Sequence, residues 1–235
     1  MIEEKHFKDI IKRSNNRYDL WSNFITYNNF KSISEIGVYK GDFSARLLND
    51  CSCIEDYYMI DPWRNLSDWN KPANHNNKVF ESFYKETLDK TEFASNKRII
   101  LKGKTTEVIN QIDDESIDLV YIDGDHTLKG ITIDLINIWD KIKPGGFIAG
   151  DDFCSTIWQH SLNFEPTLIF PFVLYFAEAK GVKVIGLPFN QFVICKDTKE
   201  FSFLNLTNNT YKGKTILSHL NRKTMLKKII KSLIS

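Results

Sequence analysis

Cysteine is scarce in this chain of 235 residues: Cys51, Cys53, Cys154 and Cys195 are the only four, and no two form a CxxC pair. That excludes the disulfide framework of a small secreted domain and leaves a reduced, cytoplasmic protein as the expectation. Charge of one sign is lacking too. Thirty-one basic and 30 acidic residues give a formal net charge of +1, so no global field draws the protein to nucleic acid. Long apolar runs are missing: the longest, residues 168–177, is too short to span a bilayer and contains Pro171. The opening residues MIEEKHFKD lack the basic-then-apolar order of a signal peptide, so a soluble chain is expected. Internal repeats and low-complexity tracts are absent as well.

What remains is an alternation of strand and helix patterns suited to one α/β domain. Its centre is residues 119–126, LVYIDGDH. The apolar run Leu119, Val120, Tyr121, Ile122 does not alternate, which predicts a strand covered on both faces in the middle of a parallel sheet. Such a strand delivers the residues that follow it, Asp123, Asp125 and His126, to the carboxyl edge where open α/β sheets bind ligands. Residues 128–143 have helical apolar spacing, and the strand GGFIAG after them ends in Asp151-Asp152. If the two strands are neighbours about 4.8 Å apart, Asp123 and the Asp151-Asp152 pair converge on one point.

The expected order around this unit is an N-terminal helical extension (1–30), a sheet domain (31–200) and a tail (201–235) with a basic amphipathic helix over 216–234. Within the sheet domain, strands are expected at 32–37, 55–61 and 98–101. Asp42 is the expected cap of the helix after the first strand. The polar stretch 63–77, which contains Trp63, Trp69 and His75, has the length of a lid or binding loop. A buried helix is expected over 168–179, followed by an antiparallel pair at 182–187 and 191–196.

Two sites near the first two strands stand out. Glu35-Ile36-Gly37-Val38-Tyr39-Lys40-Gly41 occupies a strand-to-helix turn, where glycine would let a ligand approach the backbone. Asp61 ends the next strand, where a carboxylate can accept from both hydroxyls of a ribose. The glycine spacing is not the GxGxxG of dinucleotide binders, which counts against an NAD-dependent dehydrogenase.

With IDP, IDGDH and IKPGGFIAGDD in the same order, residues 32–196 resemble the class I S-adenosylmethionine-dependent methyltransferases. The closest pattern is that of the metal-dependent O-methyltransferases of the catechol and macrolide-sugar type. The resemblance implies a doubly wound, seven-stranded, mostly parallel sheet with one antiparallel strand and helices on both faces. It places Gly37 and Gly41 under the methionine part of S-adenosylmethionine, Glu35 near that end, Asp61 on the ribose, and Gly103, Lys104 and Thr105 by the adenine, with Asp123 bordering the cofactor. It implies Mg²⁺ on Asp123, Asp151 and Asp152, and His126 as the general base with Asp125 ranked second. A small-molecule hydroxyl, on a sugar or sugar-bearing compound, is the implied acceptor.

Blander roles stand beside these. Asp123 and His126 could cap the following helix, Trp63 and Trp69 could anchor their loop, and Cys154, His75 and His160 could be structural or surface residues. Arg64 could meet an anionic substrate group. The basic tail is expected to dock on its own domain or a second subunit of a homo-oligomer rather than on a membrane surface. Two competing functions remain: a metal-independent methyltransferase acting on nitrogen or an activated oxygen, and a non-catalytic nucleoside-binding protein.

Overall fold

A computed structural model describes residues 4–161, 163–211 and the single positions 226, 229 and 230. The tail helix expected over 216–234 lies outside the described residues, apart from Leu226, Ile229 and Ile230.

Two helices, α1 (Glu4–Lys12) and α2 (Arg17–Asn28), precede the first strand, β1 (Ser32–Ile36). The α2 start is set by Asn16, whose side chain accepts from the Asp19 amide, and its end by Asn29 in a left-handed conformation. Then follow α3 (Asp42–Asp50), β2 (Asp56–Asp61), α4 (Asn77–Lys90), β3 (Arg98–Lys102), α5 (Thr105–Val108), β4 (Ile117–Ile122), α6 (Leu128–Ile138) and β5 (Ile142–Gly150). The chain closes with α7 (Ile169–Lys180), β6 (Lys183–Leu187), β7 (Gln191–Cys195) and β8 (Ser202–Asn205).

The strands form one sheet in the order β3-β2-β1-β4-β5-β7-β6-β8. Only β7 runs against the others, pairing antiparallel with β5 and β6. The expected doubly wound α/β architecture is therefore present, with one correction: there are eight strands, not seven. The added strand, β8, pairs in parallel with β6. It is a four-residue edge strand with no fully buried residue, its Phe203 and Leu204 only partly buried against the two cores.

Alternate residues of each strand feed two separate cores. Ile33, Tyr57, Leu119, Tyr121 and Ala149 pack under α1, α2, α3 and α4, with Trp21 and Phe24 of α2 fully buried. On the opposite face, Ile36, Val120, Ile122 and Ile148 pack under α6 and α7. This two-sided burial is why the 119–122 run does not alternate. Winding reverses between β1 and β4, which are paired in parallel from Ile33↔Leu119 to Ile36↔Ile122. The carboxyl ends of these two strands thus flank the switch point, where the fold class binds its ligands. No helix among the described residues is long and apolar enough to cross a membrane.

Candidate functional site

Beyond β1 and β4 the two backbones almost touch. The Asp123 amide donates to the Ile36 carbonyl at 2.7 Å and the Gly37 amide to the Ile60 carbonyl at 2.9 Å, extending the ladders past the strand ends. Gly37 has φ +90°, and a Cβ there would lie 2.3 Å from the Asp123 carbonyl oxygen. Glycine is therefore required here by the neighbouring backbone as well as by the positive φ. At Gly41 (φ +73°) the missing side chain faces Thr87 of α4, 2.9 Å from a Cβ position. Gly41 is itself the N-cap residue of α3, so Asp42 is not the cap but the first helical residue, paired with Lys90 at 2.6 Å.

A cavity of about 480 Å³ opens at this switch point. Its floor contains Gly37, Val38, Tyr39 and Lys40, with Glu35 and Asp61 on one side. Gly103, Lys104 and Thr105 form the far wall, and Asp123, Asp125, His126 and Asp152 line the near one. Leu66, Trp69 and Lys71 from residues 63–77 complete the wall, so the expected binding loop borders the cavity. Trp63 does not. It is buried, donates from Nε1 to the Tyr39 carbonyl at 2.8 Å and anchors the loop. Lys71, also buried, donates to the Glu165 and Pro166 carbonyls at 2.8 and 3.2 Å, clasping the loop to the 153–166 segment. Arg64 is engaged by Glu107 through both carboxylate oxygens.

Asp61 is held by two main-chain donors, Tyr39 to Oδ2 at 2.9 Å and Trp63 to Oδ1 at 2.7 Å. Each oxygen keeps a second lone pair for a further donor. Burial raises the carboxyl to about 6 against those bonds. Glu35 is deeper: it accepts from Ser44 and, at 2.7 Å, from the Tyr57 hydroxyl, and burial pushes it up to about 8. Asp134 of α6 escaped sequence reading. Its Oδ1 accepts from Thr105 Oγ1 at 2.6 Å and burial raises it to about 7. The available signal was an acid on the apolar stripe Ile131, Asp134, Leu135, Ile138, all buried.

The strand-end acids are brought together, but not around one centre. Asp123 Oδ2 and Asp151 Oδ2 both accept from a single nitrogen, Nη1 of Arg17, at 3.0 Å for Asp123 and in close contact for Asp151. Asp152, in a left-handed conformation at φ +56°, turns instead to His126, whose Nδ1 lies 2.5 Å from its Oδ2. His126 Nε2 is shut from solvent, has no hydrogen-bond partner among the described residues, and lies 3.5 Å from Asp123 Oδ1. Neither Asp123 nor His126 caps α6; Thr127 does, accepting from the Gly130 amide. Asp125 Oδ1 accepts from the Thr127 amide at 2.9 Å.

Charge follows from these contacts. Burial and the facing Asp151 push Asp123 upward, opposed by His126 and Arg17. Burial likewise raises Asp151 against Arg17. Burial works the same way on Asp152, yet the His126 bond outweighs it and holds Asp152 below the usual carboxylate range. Burial would lower His126, but the Asp152 bond and surrounding carboxylates raise it overall. Burial pushes the Cys154 thiol up to about 12, away from the thiolate form a nucleophile needs.

Hard carboxylate oxygens at two adjacent strand ends suit an oxygen-seeking divalent ion. Arg17 stands in for such a cation and shows that Asp123 and Asp151 aim at a common point. The expected third ligand does not join them, and among the described residues no three His, Cys, Asp or Glu side chains share one coordination point. Arg17 and Gln191 were both missed by sequence reading. Nothing in an arginine at a helix start signals a partner more than 100 residues away.

The geometry has relatives. A structure from Staphylococcus aureus, described as a candidate caffeoyl-CoA O-methyltransferase, superposes with a TM-score of 0.58 at 19% identity, over 81% of this chain and 90% of that one. An O-methyltransferase from Bacillus cereus in complex with SAH gives 0.55 at 14% identity, over 83% and 91%. Spermidine synthase from Thermotoga maritima gives 0.50 at 12%, over 85% and 63%, so these likenesses speak for the fold alone. No curated protein sequence matches the chain. A family model described as a methyltransferase domain matches residues 34–153, just over half of the chain, from within β1 through the strand-end acids. With the switch-point cavity and the strand order in agreement, the chain belongs to the methyltransferase-domain family.

Proposed function

We propose that the protein transfers the methyl group of S-adenosylmethionine to a hydroxyl oxygen of a small molecule, on a sugar or sugar-bearing compound, in the cytoplasm. The observation that carries this reading is His126. Its Nδ1 is engaged by Asp152 while Nε2 is left without a partner beside the cavity. A carboxylate on Nδ1 selects the neutral tautomer whose Nε2 lone pair is free to accept a proton. In the reaction the acceptor oxygen attacks the methyl carbon, the carbon–sulfur bond breaks with its electron pair staying on sulfur, and the hydroxyl proton passes to Nε2.

Asp61 would accept from the ribose hydroxyls through its remaining lone pairs, and Gly103, Lys104 and Thr105, joined by Asp134, would border the adenine. Gly37 and Glu35 would lie at the methionine end. Asp125 remains the second candidate base, its Oδ1 already committed to Thr127. Trp69, whose buried Nε1 lacks a partner among the described residues, supports a sugar acceptor, since indoles stack on sugars and donate a hydrogen bond. Asp123 and Asp151, which aim at a common point, are the residues that would hold Mg²⁺, with Asp152 turned to His126 beside them; when bound the ion would supply positive charge that makes an aliphatic hydroxyl a better nucleophile. A second reading, without metal, is favoured by Arg17, which already brings a cation to Asp123 and Asp151.

The test is incubation with S-adenosylmethionine and a panel of sugar hydroxyl acceptors, with Mg²⁺ or with excess chelator, followed by mass spectrometry. A methylated product at oxygen is expected. Methylation at nitrogen only, or no cofactor binding by calorimetry, would overturn the proposal.

A further inference from the structure

Resting on that reading of the strand-end acids, we infer that Arg17 is their built-in counter-cation, and that it and a divalent ion exclude one another from the same two oxygens. Nη1 of Arg17 bonds Asp123 Oδ2 and Asp151 Oδ2 together. An ion binding carboxylate oxygens needs them at about 2.1 Å, a space that a nitrogen shared between those oxygens already fills. Two cations side by side in a partly buried site also repel strongly.

The arginine is placed by the fold. Its guanidinium lies against the rings of Tyr18 and Phe43, 5.4 and 5.7 Å from their centroids. The other oxygen of Asp151 accepts from Gln191 Nε2 at 2.6 Å and from the Asp152 amide at 2.8 Å. Gln191 Oε1 in turn accepts from Trp21 Nε1 at 2.7 Å and the Tyr121 hydroxyl at 2.9 Å. Arg17 and Trp21 are one turn apart on α2, so the helix reaches Asp151 by two routes: directly, and through Gln191. The Arg17 side chain keeps 29% of its surface exposed and lines the cavity, so it has open space into which it can swing while Trp21 keeps α2 in place. The acid pair therefore already shares one cation of its own, and a divalent ion enters only as Arg17 leaves.

Full-length wild type, Arg17→Ala and Arg17→Gln are titrated with Mn²⁺ and followed by electron paramagnetic resonance, with thermal unfolding in chelator alongside. Both variants are expected to bind one Mn²⁺ at least about tenfold more tightly than wild type, because a competing charge is gone. Adding Asp123→Asn to Arg17→Gln should abolish that gain. In chelator both variants should melt below wild type, and Mn²⁺ should restore the difference. Equal Mn²⁺ affinity in wild type and Arg17→Gln, or no binding by either, would overturn the inference. Calorimetry with S-adenosylmethionine on the same wild-type sample reads the methyltransferase proposal separately, because failure there leaves the Mn²⁺ comparison standing.

Discussion

Nδ1 of His126 lies 2.5 Å from Oδ2 of Asp152, a residue from a different strand end and 26 positions further along the chain. This pairing orients the imidazole and leaves Nε2 without a hydrogen-bond partner among the described residues. Replacing His126 with Ala is expected to lower turnover by about 10²–10⁴-fold, the range for a lost general base, with cofactor affinity unchanged. Asp125→Asn should cost far less. Steady-state rates with calorimetry for S-adenosylmethionine check both, and a larger loss at Asp125 would reassign the base.

Asp61, the proposed ribose acceptor, ties two turns together through the Tyr39 and Trp63 amides. Asp61→Ala leaves those donors without their acceptor, so a loss of about 1–3 kcal/mol in urea unfolding is expected together with weakened cofactor binding. Asp61→Asn can still accept through its carbonyl oxygen and should keep more of the stability than of the binding.

Glu35 makes stability fall as pH rises. Its carboxyl goes from 4.5 to about 8 on folding, so the native chain holds a proton that the unfolded chain has lost between those values. The contribution is complete at low pH and disappears as pH climbs through the folded value, with a slope of at most about 1.4 kcal/mol per pH unit. Glu35→Gln should flatten this limb and melt above wild type at alkaline pH. Thermal unfolding across pH 5–9, about the window set by those two values, measures it.

Gly37→Ala tests the crossing of the β1 and β4 backbones. A methyl at φ +90° and 2.3 Å from the Asp123 carbonyl oxygen should cost more than about 1 kcal/mol and shift Asp123 as well. Denaturant unfolding and cofactor affinity should therefore fall together. An unchanged affinity in a destabilised variant would separate the glycine from the site.

Much of this protein was legible before folding. The apolar run at 119–122 is read as a doubly covered strand because residues packed on both faces cannot alternate, and β4 is that strand. The acids after it, and those after β5, reach one sheet edge because parallel neighbours end on the same side. The antiparallel pair β6 and β7 was likewise written in two short apolar runs.

Other features needed the three-dimensional chain. The edge strand β8 is only four residues long and partly buried, so its pairing with β6 is what identifies it as a strand. That Gly37 also has to be glycine because a second backbone lies against it is visible only in the folded chain. The partners of the acids are least legible of all. Arg17, Gln191 and His126 come from α2, β7 and the turn after β4, and which carboxylate each one meets depends on distances set only when the sheet closes. Local pattern decides which elements form and which residues reach the edge. The charge on each acid is decided by tertiary packing, because burial and a cation a few ångströms away outweigh the residue's intrinsic chemistry.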